Sequence, residues 1–257
     1  MNEVIRQLAA RKSVRAFEDR DIPGEVRAAI LEAAAQAPTA GNQQLYTILN
    51  VTDPQLKARL AETCDHQPFI ATAPMVLIFL ADVCKWLDAY REAGCEPRAP
   101  GAGDVMLAAS DAAIAAQNAV TAAWSLGVGS CYIGDVMERC EEHREMLNLP
   151  PHVFPAAMLV LGYPTEQQAR RPKPERFNMA DIVCENVYRR KDGPALREMF
   201  AGRCGARGYD AWMDAFCRRK YNSDFSREMT RSVEAYLRDY GLVRAEDGGE
   251  DGAPGAR

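Results

Sequence analysis

The chain has 257 residues, of which 47% are hydrophobic and 26% charged, a composition typical of a globular protein with a large core. Its formal net charge of −5 at pH 7 disfavours general binding to nucleic acid. The longest apolar runs, such as MVLIFLA, are too short to span a bilayer, and the N-terminus lacks the order of a secretion signal, so we expect a cytoplasmic protein that does not associate with membranes.

Eight cysteines and three histidines raise the question of disulfides or a metal site. The sequence contains no CxxC pair and no CxxxH cluster, and the histidines are scattered, whereas a tetrahedral zinc site needs closely spaced ligand pairs. We therefore expect no metal and interpret the cysteines as free thiols, several of them buried.

The first part of the chain alternates helical and strand-like segments. A helix begins with Asp53 as N-cap and Pro54 at the first helical position. The run MVLIFLA is continuous and apolar, which is typical of a strand covered on both faces. The predicted elements here are helices over 3–10, 25–36 and 53–64, strands over 46–51 and 75–81, and a helix around CKWLDAYREA that precedes a Gly/Pro loop.

The second part is dominated by one long helix, predicted over 104–126. It is almost uniformly small and apolar, so we expect a central, buried helix, either at a subunit interface or in the core of a monomer. A turn and short strand over 127–134 and a strand over 156–163 follow, and the C-terminal third is helical. We expect a single domain over 1–244 with a helical C-terminal extension and a disordered tail over 245–257.

Four segments of the sequence each contain a polar or glycine-bearing loop next to a predicted buried helix or strand. RKSVRAF (11–17) and RRPKPERF are cationic, and such loops suit a phosphate monoester because they donate charge-assisted hydrogen bonds. APTAGNQQ (37–44) and GVGSCYIG (127–134) offer amides and glycines that let a flat heterocycle approach the backbone. There is no GxGxxG after a strand and no Walker A loop. The combination indicates a planar cofactor that carries a phosphate.

In order and spacing, these segments and DIVCENVY make the chain resemble the FMN-dependent nitroreductase and flavin reductase family over nearly its whole length. The resemblance implies an α+β fold: a three-layer sandwich with a mixed central sheet flanked by helices, in an intertwined homodimer with two FMN sites at the subunit interface. Two positions depart from the family pattern, TAGN after Pro38 and Cys184 where histidine is common.

The resemblance also assigns residues to the FMN. Arg11 and Ser13 would hold the phosphate with Lys173 or Arg176, and Lys12 belongs to the same motif. Arg15 would lie near flavin N1 and the C2 carbonyl and stabilise the reduced flavin. The remaining implied contacts are Gln67, the segment Ser130, Cys131, Tyr132, Ile133 and Gly134, and Pro38, Thr39 and Asn42 from the partner subunit.

The implied activity is ping-pong transfer of hydride from NADPH or NADH through FMN to a nitroaromatic, quinone or flavin acceptor. No side-chain acid or base is evident, so His66 is expected to be a surface residue and Cys131 a packing residue. Arg203 and Arg207 are candidates for contact with the NADPH 2′-phosphate. The alternatives are another flavin enzyme on the same scaffold, a reductive dehalogenase or a flavin-fragmenting enzyme, and an FMN-binding protein without turnover. A dimeric interaction protein with basic surface loops also remains open.

Overall fold

The computed structural model describes residues 1–242 and contains one four-stranded sheet. Its strands are β1 (Tyr46–Val51), β2 (Met75–Asp82), β3 (Gly129–Ile133) and β4 (Val153–Gly162), in the order β1-β2-β4-β3. Every neighbouring pair is antiparallel. The predicted tail over 245–257 lies outside the described residues.

The prediction of a mixed sheet is wrong for residues 1–242. The one parallel pairing there is an isolated bridge between Ser13 and Ser130 at the outer edge of β3. It does not extend into a ladder because the chain turns away after Val14, and Phe17 pairs antiparallel with Pro164 instead.

Helices account for most of the remaining described chain. Asp53 caps the third helix as predicted, since its side chain accepts a hydrogen bond from the Gln55 N–H. The predicted elements are confirmed within a few residues at their ends, the largest difference being that β4 begins three residues before the predicted 156. The helices are α1 (Glu3–Ala10), α2 (Gly24–Ala35), α3 (Pro54–Thr63), α4 (Pro68–Ala71), α5 (Cys84–Glu92), α6 (Ala102–Ser125), α7 (Cys140–Leu147), α8 (Glu166–Arg170), α9 (Met179–Ile182), α10 (Gly193–Cys204), α11 (Tyr209–Lys220) and α12 (Asp224–Leu237).

Helices cover both faces of the sheet. Side chains alternate along β2, so that Val76, Ile78 and Leu80 join one core cluster and Met75, Leu77 and Phe79 join the other. The first cluster includes residues of α3, α4, α5, α7 and α12, and the second is closed by α2 and α6. The α+β class is thereby confirmed. Within residues 1–242, no helix is both long and apolar enough to cross a membrane.

Helix α6 is buried along one face only. Ala112, Ala116 and Ala119 are fully covered, whereas Met106 is 66% exposed and Ile114 is 40% exposed. Within the single chain the predicted burial is therefore met on one face, and a second apolar face of α6 is left uncovered.

Candidate functional site

The segment RKSVRAF is fixed along the free edge of β3. The Val14 N–H donates to the Ser130 carbonyl at 2.9 Å, and the Glu18 N–H donates to the Tyr163 carbonyl at 2.8 Å. A Cβ on Gly129 would lie 2.7 Å from the Val14 side chain, so only glycine allows this approach. The sequence pattern predicted that the glycines of GVGSCYIG, including Gly129, allow a ligand to approach the backbone. In the structure, Gly129 instead makes room for the Val14 side chain. Val14 in turn sets the position of Ser13 and Arg15.

The second basic loop is tied to the first by lysine and arginine side chains. Lys12 donates through Nζ to the Ala169 carbonyl at 2.6 Å and to the Arg171 carbonyl, while Arg171 donates to the Ser13 carbonyl at 3.0 Å. In return, Lys173 donates to the Ala9 carbonyl at 2.6 Å, at the C-terminal end of α1. The structure thus brings together two segments that are far apart in the sequence.

These loops carry more positive charge than the nearby carboxylates neutralise. Within residues 1–242, salt bridges involve none of the cations Arg11, Lys12, Arg15, Arg171, Lys173 and Arg176. Burial, followed by the charges of Arg176 and Arg11, lowers the pKa of Lys173. Crowded cations repel one another, and a bound anion relieves that repulsion. The cluster has the charge and the donors to hold a phosphate.

Strand β3 lies directly against this cluster. Burial raises the pKa of the Cys131 thiol, and Arg15 and Ser13 only partly offset that effect. Cys131 is therefore a protonated thiol at neutral pH, which supports a packing role over that of a nucleophile. Ser130 and Ile133 are each 2% exposed, whereas Tyr132 is 36% exposed and burial raises its pKa to about 12.

Gln67 lies beside the end of β3. Its Nε2 donates to the Cys64 carbonyl at 2.8 Å and to Asp135 Oδ2 at 3.2 Å, and Asp135 immediately follows Gly134. The preceding residues Asp65 and His66 both have left-handed backbone conformations, with φ of 59° and 50°. This tight turn places the Gln67 amide against Asp135 and leaves His66 exposed.

A buried carboxylate organises the loop that contains Pro38, Thr39 and Asn42. Asp111 of α6 is 3% exposed and accepts from the Thr39 hydroxyl, the Ala40 N–H at 3.0 Å and the Leu45 N–H at 3.2 Å. The loop is thus hydrogen-bonded to α6, and within residues 1–242 no hydrogen bond connects it to the two basic segments. Pro38 and Asn42 are exposed.

Of the two nucleotide candidates, Arg203 alone has a defined contact in the described residues. Its guanidinium lies 3.6 Å from the centroid of the Phe177 ring, next to Arg176. Arg207 is exposed in the short turn Gly205–Arg207.

Two acidic residues that were not predicted from the sequence, Asp111 and Asp135, position the predicted ones. For Asp111 there was a signal: it is a carboxylate within a helix of almost uniformly small, apolar residues. A buried carboxylate needs hydrogen-bond donors, so its presence indicated a loop that presents N–H groups to the helix. For Asp135 there was no comparable signal.

Comparisons with known proteins identify the class of this fold and site. The model of the Nitroreductase family matches residues 8–163. The chain belongs to this family, and the predicted family is confirmed.

Individual relatives resemble it over most of their length. The FMN reductase (NAD(P)H) of Bacillus subtilis strain 168 is 31% identical over 239 residues, which cover 92% of this chain and 91% of that protein. The oxygen-insensitive NADPH nitroreductase of Salmonella typhimurium strain LT2 is 31% identical over 221 residues, covering 83% and 89%. The structure of the hypothetical oxidoreductase YcnD from Bacillus subtilis matches with a TM-score of 0.78 at 29% identity, over 92% of this chain and 98% of that one.

Proposed function

We infer that the chain is an FMN-dependent NAD(P)H oxidoreductase of the nitroreductase and flavin reductase type. The relatives named for FMN, NADPH and nitro-compound reduction support this activity, with similarity that extends over most of their chains. The observation that carries the proposal is the group of basic side chains that have no carboxylate partner within residues 1–242, which fits the dianionic phosphate of FMN.

Each basic residue has a distinct role in this proposal. Arg11, Ser13 and Arg176 bind the phosphate, while Lys173, whose ammonium group donates to the Leu8 and Ala9 carbonyls at 3.3 and 2.6 Å, fixes its loop to α1 and adds positive charge beside the phosphate. Lys12 fixes the spacing of the two loops, because its ammonium group already donates to two carbonyls.

The ring would lie along the segment Ser130, Cys131, Tyr132, Ile133 and Gly134. When bound, FMN would supply hydride transfer from NADPH or NADH to the acceptor, so the protein's task is to place and polarise the ring. Arg15 would supply the positive charge that stabilises the negative charge of the reduced ring. Gln67, whose two N–H groups are held by the Cys64 carbonyl and Asp135, would offer its side-chain carbonyl oxygen to the ring edge.

We also propose the three-layer, intertwined homodimer, in which Pro38, Thr39 and Asn42 reach the partner's flavin. The dimer is supported by the extent of apolar surface that the single chain leaves exposed, since large exposed apolar patches mark interfaces. The residues concerned are Val4, Ile5 and Leu8 on α1, Met106, Leu107 and Ile114 on α6, and Ile182, Val187 and Tyr188 in the arm that includes α9. We further propose a single domain over 1–244 with a helical extension, and a cytoplasmic location. Light scattering coupled to size exclusion would measure the mass in solution, and a monomer would contradict the dimer.

The visible spectrum of the purified protein tests the cofactor and the reaction together. We expect a yellow protein whose flavin absorbance bleaches when NADPH or NADH is added without oxygen. A yellow protein that fails to bleach would keep the flavin site and contradict the reductase. A colourless protein that ignores added FMN would contradict both.

A second experiment tests the phosphate site itself. Arg11→Ala should weaken FMN binding by about 10- to 100-fold, the range expected for one charge-assisted hydrogen bond. Riboflavin lacks the phosphate, so its affinity should not change. Arg170→Ala is the matched control, because Arg170 lies at the end of α8, is exposed and pairs with Glu166. Equal losses for FMN and riboflavin would show that Arg11 does not bind the phosphate.

A further inference from the structure

The turn that follows β3 cannot pair all of its backbone groups internally. Its short 3₁₀ helix, Asp135–Met137, is too short to satisfy its own last carbonyls. The Val136 carbonyl accepts a hydrogen bond from Nδ1 of His143, a fully buried residue of α7, at 2.9 Å. The Met137 carbonyl accepts from the Ser232 hydroxyl of α12 at 2.7 Å. Side chains of two later helices therefore fix the shape of this turn.

Ser232 holds the turn at two points. Its side chain is fully buried, and its hydroxyl also accepts a hydrogen bond from the Cys140 N–H at 2.8 Å. This N–H is at the start of α7, where a helix leaves its first N–H groups without partners. One hydroxyl thus serves as donor to the Met137 carbonyl and as acceptor for the Cys140 N–H. Removing it would leave both backbone groups without this partner, which is costly inside a protein.

Glu228 makes a second contact between α12 and the turn. Its Oε1 accepts from the Arg139 N–H at 3.2 Å. Arg139 has a left-handed backbone, with φ of 49°, and such a conformation persists only where neighbouring groups hold it. The Glu228 carboxylate is itself oriented by Arg231, which donates to it at 2.8 Å and to both carboxylate oxygens of Glu141 at 3.0 and 2.9 Å.

The first residue of the turn leads to the predicted flavin contact. Asp135 Oδ2 accepts from Nε2 of Gln67 at 3.2 Å, and Asp135 lies in the same short helix as Met137. A shift of the helix would therefore move the Asp135 carboxylate. Without that carboxylate the Gln67 amide could rotate and present an N–H where its carbonyl oxygen now lies.

We propose that Ser232 and Glu228 are positioning residues of the flavin site. They hold the turn in the shape in which Asp135 orients the Gln67 amide. Ser232 is fully buried, so it acts through the turn and does not touch the cofactor. The inference rests on the proposed function and extends the flavin site to α12, a helix that carries none of the residues assigned to FMN.

The test is a double-mutant cycle on FMN affinity, measured by fluorescence titration of the full-length protein after removal of its flavin. Gln67→Ala should weaken FMN binding about 3- to 10-fold, as expected for one neutral hydrogen bond. Ser232→Ala and Glu228→Ala should each weaken it by up to the same factor. In the Gln67→Ala background neither should weaken it further, because the side chain through which they act is gone. Thr230→Ala is the matched control, since Thr230 is exposed on α12 and donates to the Ser226 carbonyl of the same helix.

Urea unfolding without FMN shows which variants fold. If Ser232→Ala does not, the Glu228→Ala cycle decides the matter, because the Glu228 side chain is 33% exposed. Equal losses of FMN affinity with and without Gln67 would overturn the inference, since α12 would then support only the fold as a whole. Unchanged affinity in Gln67→Ala, or in both α12 variants, would also overturn it and leave FMN binding by the wild type standing. A wild-type protein that does not bind FMN would contradict the proposed function itself, and this inference with it.

Discussion

Replacing Glu138 by glutamine should stabilise the protein at alkaline pH and have a much smaller effect at pH 5. Glu138 lies in the turn after β3, is 6% exposed, and its Oε1 has no hydrogen-bond partner in the part of the chain described. Burial, and then the negative charges of Asp135, Asp65 and Glu228, raise its pKa to about 7. Arg139 opposes this shift but does not cancel it.

The size of this stabilisation follows from proton linkage. Below the ordinary carboxyl pKa of 4.5, Glu138 is protonated in both the folded and the unfolded chain, so it does not lower the free energy of unfolding. As the pH rises toward 7, the unfolded chain loses this proton first, so the free energy of unfolding falls. Above pH 7 the Glu138 carboxyl is ionised in both the folded and the unfolded chain. The free energy of unfolding is then lowered by the full amount, about 3 kcal/mol for a pKa difference of this size.

Urea unfolding of wild type and Glu138→Gln, at one protein concentration and without added FMN, would measure this cost. The stability gained by the variant should be about 2 kcal/mol larger at pH 8 than at pH 5. Using the difference between two pH values removes any pH-independent effect of the new amide. Glu145→Gln is the matched control, because Glu145 is exposed on α7. If the gain were the same at both pH values, Glu138 would not be a protonated, destabilising carboxyl near neutral pH.

The remaining predictions concern how the site is positioned. Asp111→Asn should lower the free energy of unfolding by about 3 kcal/mol in urea, because it sets an amide against buried N–H donors, and a loss under 1 kcal/mol would contradict its role. Gly129→Ala should reduce FMN affinity in a fluorescence titration by displacing Val14, whereas Gly202→Ala, where a Cβ meets nothing within 4 Å, should not. Arg203→Ala should lower kcat/KM for NADPH more than for NADH, and an unchanged ratio would remove Arg203 from the nucleotide site.

Sequence patterns predicted the elements well because the signals were local. The continuous apolar run of β2 and the Asp53–Pro54 start of α3 specify their structures within a few residues. The antiparallel direction of all three strand pairs was not predictable in this way, because the direction of a neighbouring strand depends on contacts distant in sequence. Nor could the sequence decide between a subunit interface and a monomer core for α6, because uniform composition does not show which side of a helix the chain itself covers.

The basic motif shows why charge alone could not assign the site. Lys12 and Arg11 are neighbours of similar charge, yet Lys12 donates to two carbonyls, whereas Arg11 lies among cations and has no carboxylate partner in the described part of the chain. A cation whose donors are used by backbone carbonyls stabilises the fold, and one left among like charges attracts an anion. That distinction depends on where residues 169–173 lie, and only the folded chain places them beside Lys12 and Arg11.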